Sequence, residues 1–463
     1  MIKLLLVIIF GSVVYATLPI KIQEFIAKDK IKAENLSIYI AETKTGRVIA
    51  SYLENKRRKP ASVIKLATTY SALLEFGPNF RWPTSFFYTG RFLNGKISGN
   101  LIVKAFGDPT LSCKDVEKIV KRLKRLGLRE IKGDIVIDRS FFKVGNRISS
   151  GFDKHKFSEY NAMPDAIMFD DHLCKITINP RKSRATVYKS VPDSSYRVVN
   201  KIKLTNRSCK APYSWPRVAI KEVNNKTTLY LSGTISRKCP PIKIHKVLSH
   251  PYYTFYYAFV DALKRNGIKF SGGLRLAKVP RGAKALIVHH SKPLIKIVAK
   301  TNKKSNNLYA RHIFLLLGAK LFGPPATEKK GAKAVKKILG KRGILGAETI
   351  LDNGCGLSRK SRTTVKAIYK LLQDAYRTYG EKWMNTLAIA GVDGTIRKRF
   401  KRTRVRNRAW MKTGTLKDAK NIAGYVRGKS GKLYTVVIFY NDVRRWLGVQ
   451  IQNQIIDWIV RTK

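Results

Sequence analysis

The periodicity of the apolar residues switches twice along this chain, and that switching constrains its architecture more than any other feature. Residues 35–52 alternate apolar and polar side chains around Lys44-Thr45-Gly46, as two strands joined by a turn do. Residues 62–76 change to helical spacing, with Pro60 just ahead and Gly77-Pro78 as a stop. From about 86 to 284 the pattern becomes short strands separated by Gly, Asn and Pro turns, with helical stretches near 115–126 and 253–266. Helical patterns return from about 294, and a terminal hairpin is expected in 421–427 and 433–440, turning at 428–431. The last segment, 446–460, has the spacing of a helix packed on that sheet rather than of one attached to a membrane. At about 100–200 residues per domain, 463 residues patterned in this way imply several domains.

The beginning of the chain bears on where it works. Lys3 precedes an apolar run from Leu4 to Val14, broken only by Gly11 and Ser12, and Val14-Tyr15-Ala16 has the small-residue pattern of a cleavage site. This reads as a secretory signal peptide over 1–16, cut after Ala16, because the run is shorter than the ~20 apolar residues that span a bilayer. Lys and Arg number 92 against 29 Asp and Glu, a net charge of +63, so an anionic partner is expected: nucleic acid, an anionic membrane or an anionic wall polymer. Export to the periplasm removes nucleic acid from these. Hydrophobic residues make up 44% of the chain, which excludes a mostly disordered one. Of five cysteines, Cys209 and Cys239 bracket a strand-like stretch and are the expected disulfide, with buried free thiols as the alternative. There is no CxxC and so no zinc or thioredoxin signal.

Three short motifs carry the chemistry. Ser62-x-x-Lys65 puts a hydroxyl and an amine on one helix face, where the amine can deprotonate the hydroxyl once burial or another cation lowers its pKa. Ser305-Asn306-Asn307, between two helical stretches, offers a hydroxyl to relay a proton and an amide to hold a substrate or the lysine. Lys412-Thr413-Gly414 enters the terminal hairpin, where cation and hydroxyl can grip a carboxylate and the glycine leaves the edge open to an extended peptide. Each has an ordinary reading: surface helix, helix N-cap or turn. Each also has a second copy, at Ser140-Phe-Phe-Lys143, Ser98-Gly-Asn100 and Lys44-Thr45-Gly46.

In this order the three form the set found in penicillin-binding proteins and class A β-lactamases. With His290-Ser-Lys-Pro-Leu294, Asp352-Asn-Gly-Cys-Gly-Leu-Ser-Arg359 and Ala390-Gly-Val-Asp-Gly-Thr395, the chain closely resembles the low-molecular-mass class C penicillin-binding proteins. Those are D-alanyl-D-alanine carboxypeptidases that also act as endopeptidases. The resemblance implies the α/β sandwich with helical lobe of serine D,D-peptidases and β-lactamases, interrupted by nested β-rich insert domains. The catalytic domain would be split into 17–85 and 285–463, with probably two nested inserts in 86–284. The interval from Ser62 to Ser305 independently demands an insertion, being too long for one helical subdomain.

The resemblance also implies roles. Ser62 attacks the D-Ala-D-Ala carbonyl, Lys65 takes its proton, Ser305 and Lys412 relay that proton to the leaving D-alanine, and Asn307 holds the substrate. The main-chain N–H groups of Ser62 and Thr415 form the oxyanion hole, and Lys412, Thr413, Gly414 and Thr415 form the carboxylate-binding strand. Asp170 and Arg359 occupy the positions that read the diaminopimelate side chain; their ordinary readings are a solvated loop acid and a surface ion pair. The implied partners are peptidoglycan stem peptides and β-lactam inhibitors, with no cofactor and no metal. His172, beside Asp170 and Asp171, is read as part of a solvated loop rather than as a metal ligand. Cys355, Arg311 and Asn353 depart from the family's usual residues and are expected to affect local packing. A non-catalytic basic binder of anionic envelope polymer on the same fold, and a β-lactamase, are the alternatives; the intact motifs favour the peptidase. The eight basic residues within 397–408 read as a surface that steers the protein towards the wall.

Overall fold

The computed structural model describes residues 18–463 apart from 146, 182, 224 and 225. The signal peptide expected over 1–16 lies outside the described residues. The chain divides into two compact units, one running up to Phe80 and resuming over Pro293–Lys463, the other Arg81–Lys292.

The first unit is built on a six-stranded antiparallel sheet, in the order Ala388–Ile389, Ala409–Leu416, Ala419–Arg427, Leu433–Tyr440, Leu36–Glu42 and Val48–Tyr52. The first and last expected hairpins are both present, so the two ends of the chain meet in one sheet, Ile38 opposite Ile438. Leu433–Tyr440 is almost wholly buried. Its apolar run is continuous rather than alternating because helices cover both faces of the sheet at this point. On one face Ile451, Ile455 and Ile459 of the C-terminal helix Arg445–Thr462 pack with Ile22 and Ile26 of Ile20–Lys28 against Ile38, Ile422 and Ile438. On the other lies Val365–Met384, and next to it Lys65–Phe76, which also packs against Leu294–Lys304, Asn307–Phe322 and Glu328–Gly340. Asn307–Phe322 is buried along most of its length, Arg311 and His312 included.

The second unit holds a five-stranded sheet ordered Leu274–Leu276, Ile135–Asp138, Leu101–Ala105, Pro83–Tyr88 and Lys284–His290, with a four-stranded sheet of two-residue strands and the helices Cys113–Arg125 and Pro251–Arg265. Two three-stranded sheets come entirely from residues 174–246 and share a core of Ile176, Ile178, Leu229, Leu231 and Ile244. Cys209 and Cys239 are disulfide-bonded, whereas Cys113, Cys174 and Cys355 are free. The unit boundaries fall at 80/81 and 292/293 rather than at the expected 85/86 and 284/285. The reason is that Pro83–Tyr88 pairs with Lys284–His290, which draws both strands into the second unit.

His172 corrects another expectation. It is buried, with its ring nitrogens 2.9 Å from the Met163 carbonyl and 3.0 Å from that of Ser249, and burial lowers its pKa to about 4. It is a buried structural histidine set between two main-chain carbonyls, not part of a solvated loop. Among the described residues, no helix is long and apolar enough to cross a membrane.

Candidate active site

The helix expected from residue 62 begins as a 3-10 turn, Ala61–Ile64, and becomes α-helical at Lys65. Pro60 and a left-handed Ala61, φ +49°, tighten this entry and set Ser62 at its rim. Two glycines allow other main chain to close on it. A Cβ on Gly356 would stand 2.0 Å from the Ala61 carbonyl, and one on Gly414 2.7 Å from that of Pro60 and 3.2 Å from the Ser62 nitrogen. The loop 352–359 and the strand Ala409–Leu416 therefore approach the serine as only glycine permits.

Lys65 follows one helical turn after Ser62 and is wholly buried. Its Nζ lies 2.8 Å from Ser62 Oγ, 2.7 Å from Asn307 Oδ1 and 2.5 Å from the Cys355 carbonyl oxygen. Two of these three atoms can only accept. A neutral amine gives its two hydrogens to them and turns its lone pair to the Ser62 hydroxyl. Burial lowers the Lys65 pKa to about 8, and the charge of Arg311 pushes in the same direction.

Ser305 occupies the turn between Leu294–Lys304 and Asn307–Phe322 in a left-handed conformation, φ +54°. Asn306 caps the second helix by accepting from the Tyr309 N–H, which leaves the neighbouring Asn307 to meet Lys65. Strain of this kind in a non-glycine residue is typical of functional sites. Across from it, Lys412 Nζ donates to Ser305 Oγ at 2.8 Å and to the Thr413 carbonyl at 2.6 Å. Lys412 is also wholly buried; burial, and then the charge of Lys65, lower its pKa well below the usual lysine value. Neither lysine is in an ion pair among the described residues, so a second positive charge in this site is strongly opposed.

The strand carrying Lys412 is paired on its outer side only through Trp410 and Met411, with Ile389 and Ala388. Beyond Met411 no strand among the described residues covers that edge, so Lys412–Leu416 can accept an extended peptide. Thr413 Oγ1 bonds Thr395 Oγ1 at 2.9 Å, and exposed Thr415 accepts from Lys420 Nζ at 3.1 Å.

The structure thus brings Ser62, Lys65, Ser305, Asn307, Lys412, Thr413, Gly414 and Thr415 together within the first unit. Arg359 is exposed at the end of the 352–359 loop in the same unit. Asp170 belongs to the second unit, where its carboxylate lies 2.7 Å from Lys175 Nζ and its main chain is left-handed, φ +49°. It is a held, mostly buried acid, not a freely solvated one. Sequence reasoning missed the carbonyl of Cys355 and its support, Asn353, whose Oδ1 accepts from the N–H groups of Cys355 and Gly356, both at 3.2 Å. The one local signal was the tight Gly354-Cys355-Gly356 spelling.

Fold and site together set a serine hydroxyl against a buried lysine amine beside an open sheet edge, an arrangement suited to serine acyl transfer. The chain belongs to the D-Ala-D-Ala carboxypeptidase 3 (S13) family, whose sequence model matches residues 18–462. It is 29% identical over 416 residues to a D-alanyl-D-alanine carboxypeptidase of Haemophilus influenzae, covering 89% of this chain and 86% of that one. Among solved structures it resembles penicillin binding protein 4 of H. influenzae, with a TM-score of 0.80, 26% identity, and coverage of 96% and 100% of the two chains. The same protein in complex with a β-lactam matches with a TM-score of 0.76 and 25% identity, with the same coverage.

Proposed function

We propose that this protein is a serine-type D-Ala-D-Ala carboxypeptidase or D,D-endopeptidase acting on peptidoglycan stem peptides, and that β-lactams acylate it at Ser62. The observation that carries this reading is the Lys65 amine, held by two acceptor-only oxygens with its third contact on the Ser62 hydroxyl. Family membership and the β-lactam complex of the H. influenzae relative support it.

In the first half-reaction the Ser62 hydroxyl proton passes to Lys65 Nζ as Oγ bonds to the carbonyl carbon of the D-Ala-D-Ala link. Negative charge on the carbonyl oxygen is met by the N–H groups of Ser62 and Thr415. The C–N bond breaks as that proton passes from Lys65 by way of Ser305 and Lys412 to the departing amine, which leaves Lys65 neutral again. Water then attacks the acyl-enzyme, giving a proton to Lys65, and Lys65 passes it to Ser62 Oγ as the ester bond breaks. Lys412, Thr413 and Thr415 bind the terminal carboxylate. Asp170 and Arg359 read the side chain of the residue preceding the scissile link.

The N-terminal 16 residues act as a signal peptide and the enzyme works in the periplasm. The catalytic domain is formed by residues on either side of the insert, which comprises two nested domains. Its cationic surface, including the basic run over 397–408, favours association with anionic wall or membrane. Incubation with a stem pentapeptide and with a cross-linked dimer tests the reading. Wild type releases D-alanine or splits the dimer and Ser62→Ala does neither; a wild-type protein inert on both substrates would sink it.

A further inference from the structure

Away from Ser62, the first unit opens a second cleft of about 1170 Å³ between the Lys44-Thr45-Gly46 turn, the start of Leu433–Tyr440 and the helix Val365–Met384. No residue assigned to the reaction lines it. Six cations do, Lys44, Arg342, Lys370, Arg377, Arg427 and Lys432, against the two carboxylates Glu42 and Asp374. A chain of net charge +63 places cations on every face, so charge alone selects nothing.

Three further features distinguish this cleft. Its acids are sunk in the floor, with side-chain exposures of 7% and 8%, and act as struts for the cations. Asp374 accepts from Arg342 Nε and Nη2 at 2.5 and 2.9 Å and from Arg377 Nη2 at 2.7 Å. The Arg377 guanidinium, 80% exposed, keeps Nε and Nη1 for a ligand. Second, Lys44 and Lys370 are exposed and in no ion pair among the described residues. Third, two aromatic rings on the wall are held in place. Tyr369 packs on Tyr39 with centroids 4.4 Å apart and accepts from Gln373 Nε2 at 2.9 Å, and Tyr376 packs on Tyr425 at 5.4 Å.

We propose that this cleft binds a phosphate-bearing saccharide. Guanidinium and ammonium groups take the phosphate oxygens, and the rings of Tyr369 and Tyr376 take the C–H faces of sugar units while their hydroxyls bond sugar oxygens. Arg342 and Arg377 are paired with Asp374, Lys432 with Glu42 and Arg427 with Glu381, which leaves Lys44, Lys370 and the outer edge of Arg377 to meet the charge of a phosphate rather than that of a single carboxylate. The volume exceeds the roughly 300–1,000 Å³ of a pocket for a drug-sized ligand, which suits a short oligosaccharide rather than a lone ion. The proposal does not depend on the peptidase reading.

The full chain is titrated calorimetrically with phosphorylated maltotriose, maltotriose and inorganic phosphate. Phosphorylated maltotriose binds saturably and about tenfold more tightly than inorganic phosphate, and maltotriose alone does not bind. Lys44→Glu/Lys370→Glu weakens that binding by about tenfold or more while penicillin still acylates Ser62 at the wild-type rate. Tyr369→Ala weakens the phosphosaccharide but not inorganic phosphate. Neutral phospholipid vesicles carrying a phosphorylated glycolipid separate the two sources of such a ligand. Co-sedimentation that the double variant loses assigns it to lipid; soluble binding without co-sedimentation assigns it to free polymer, and either upholds the site. Equal affinity for phosphosaccharide and inorganic phosphate, unchanged binding in the double variant, or no binding by wild type overturns it.

Discussion

The carbonyl oxygen of Cys355 stands 2.5 Å from Lys65 Nζ, so the amine beside Ser62 is gripped by main chain from 290 residues further along. That grip depends on Asn353, which fastens the loop through the N–H groups of Cys355 and Gly356 and through the Leu357 carbonyl, 2.8 Å from its Nδ2. Asn353 is thereby expected to act as a positioning residue. Asn353→Ala is expected to lower the penicillin acylation rate by about tenfold to a hundredfold, with the site still titrated to one adduct. A Ser62→Ala-like complete loss, or an unchanged rate, would show that the loop does not work in this way.

The lowered Lys65 pKa predicts a pH profile. Only the neutral amine accepts the Ser62 proton, so the second-order acylation rate should rise with pH and level off above about 8. Arg311→Gln removes a charge that opposes protonation of Lys65, so this limb should move to higher pH. A limb that stays put or moves down contradicts the electrostatic role. Stability follows the same linkage. Between about 8 and the ordinary lysine value the unfolded chain holds the Lys65 proton that the folded one has lost, so stability from this group rises with pH across that window.

Gly356 and Gly414 test the close approaches to Ser62. Gly356→Ala combines a left-handed φ of +81° with a Cβ 2.0 Å from the Ala61 carbonyl, and should destabilise the protein by about 1–3 kcal/mol from the backbone conformation alone. Gly414→Ala has no such φ. It should spare the melting temperature more than Gly356→Ala does, yet slow acylation by about a hundredfold as the strand is pushed off the serine. Thermal melts and acylation rates on both variants separate the two effects; equal behaviour would contradict the assignment.

Adsorption to peptidoglycan sacculi should weaken steeply as salt is raised from about 0.05 to 0.5 M, since cationic surface charge is screened over about a nanometre at 0.1 M. Sedimentation of the protein with sacculi measures this. Adsorption that does not change with salt would remove the steering role of the basic surface.

Much of this was legible in the sequence where the signal was local. The alternation over 35–52, the helical spacing after Pro60 and the closing hairpin each lie within one element, and periodicity reports them directly. The pairing of Pro83–Tyr88 with Lys284–His290 is set by contacts across about two hundred intervening positions, and no local pattern carries it. The motifs show the same division. Ser140-x-x-Lys143 is spelled like Ser62-x-x-Lys65, but Lys143 is exposed and the Ser140 N–H merely bonds the Asp138 carboxylate, whereas Lys65 is buried against Asn307 and Cys355. Only the order of the three motifs separated the copies. The Cys355 carbonyl could not be read at all, because a main-chain oxygen has no residue identity, and the burial of His172 depends on carbonyls brought to it by folding.

The most direct measurement is the intact mass of the full chain after incubation with penicillin, followed by mapping of the modified peptide. A single covalent adduct on Ser62, abolished by Ser62→Ala and slowed by Lys65→Gln, is the predicted result. Equal labelling of the Ser62→Ala protein, or no adduct on wild type, would contradict the account.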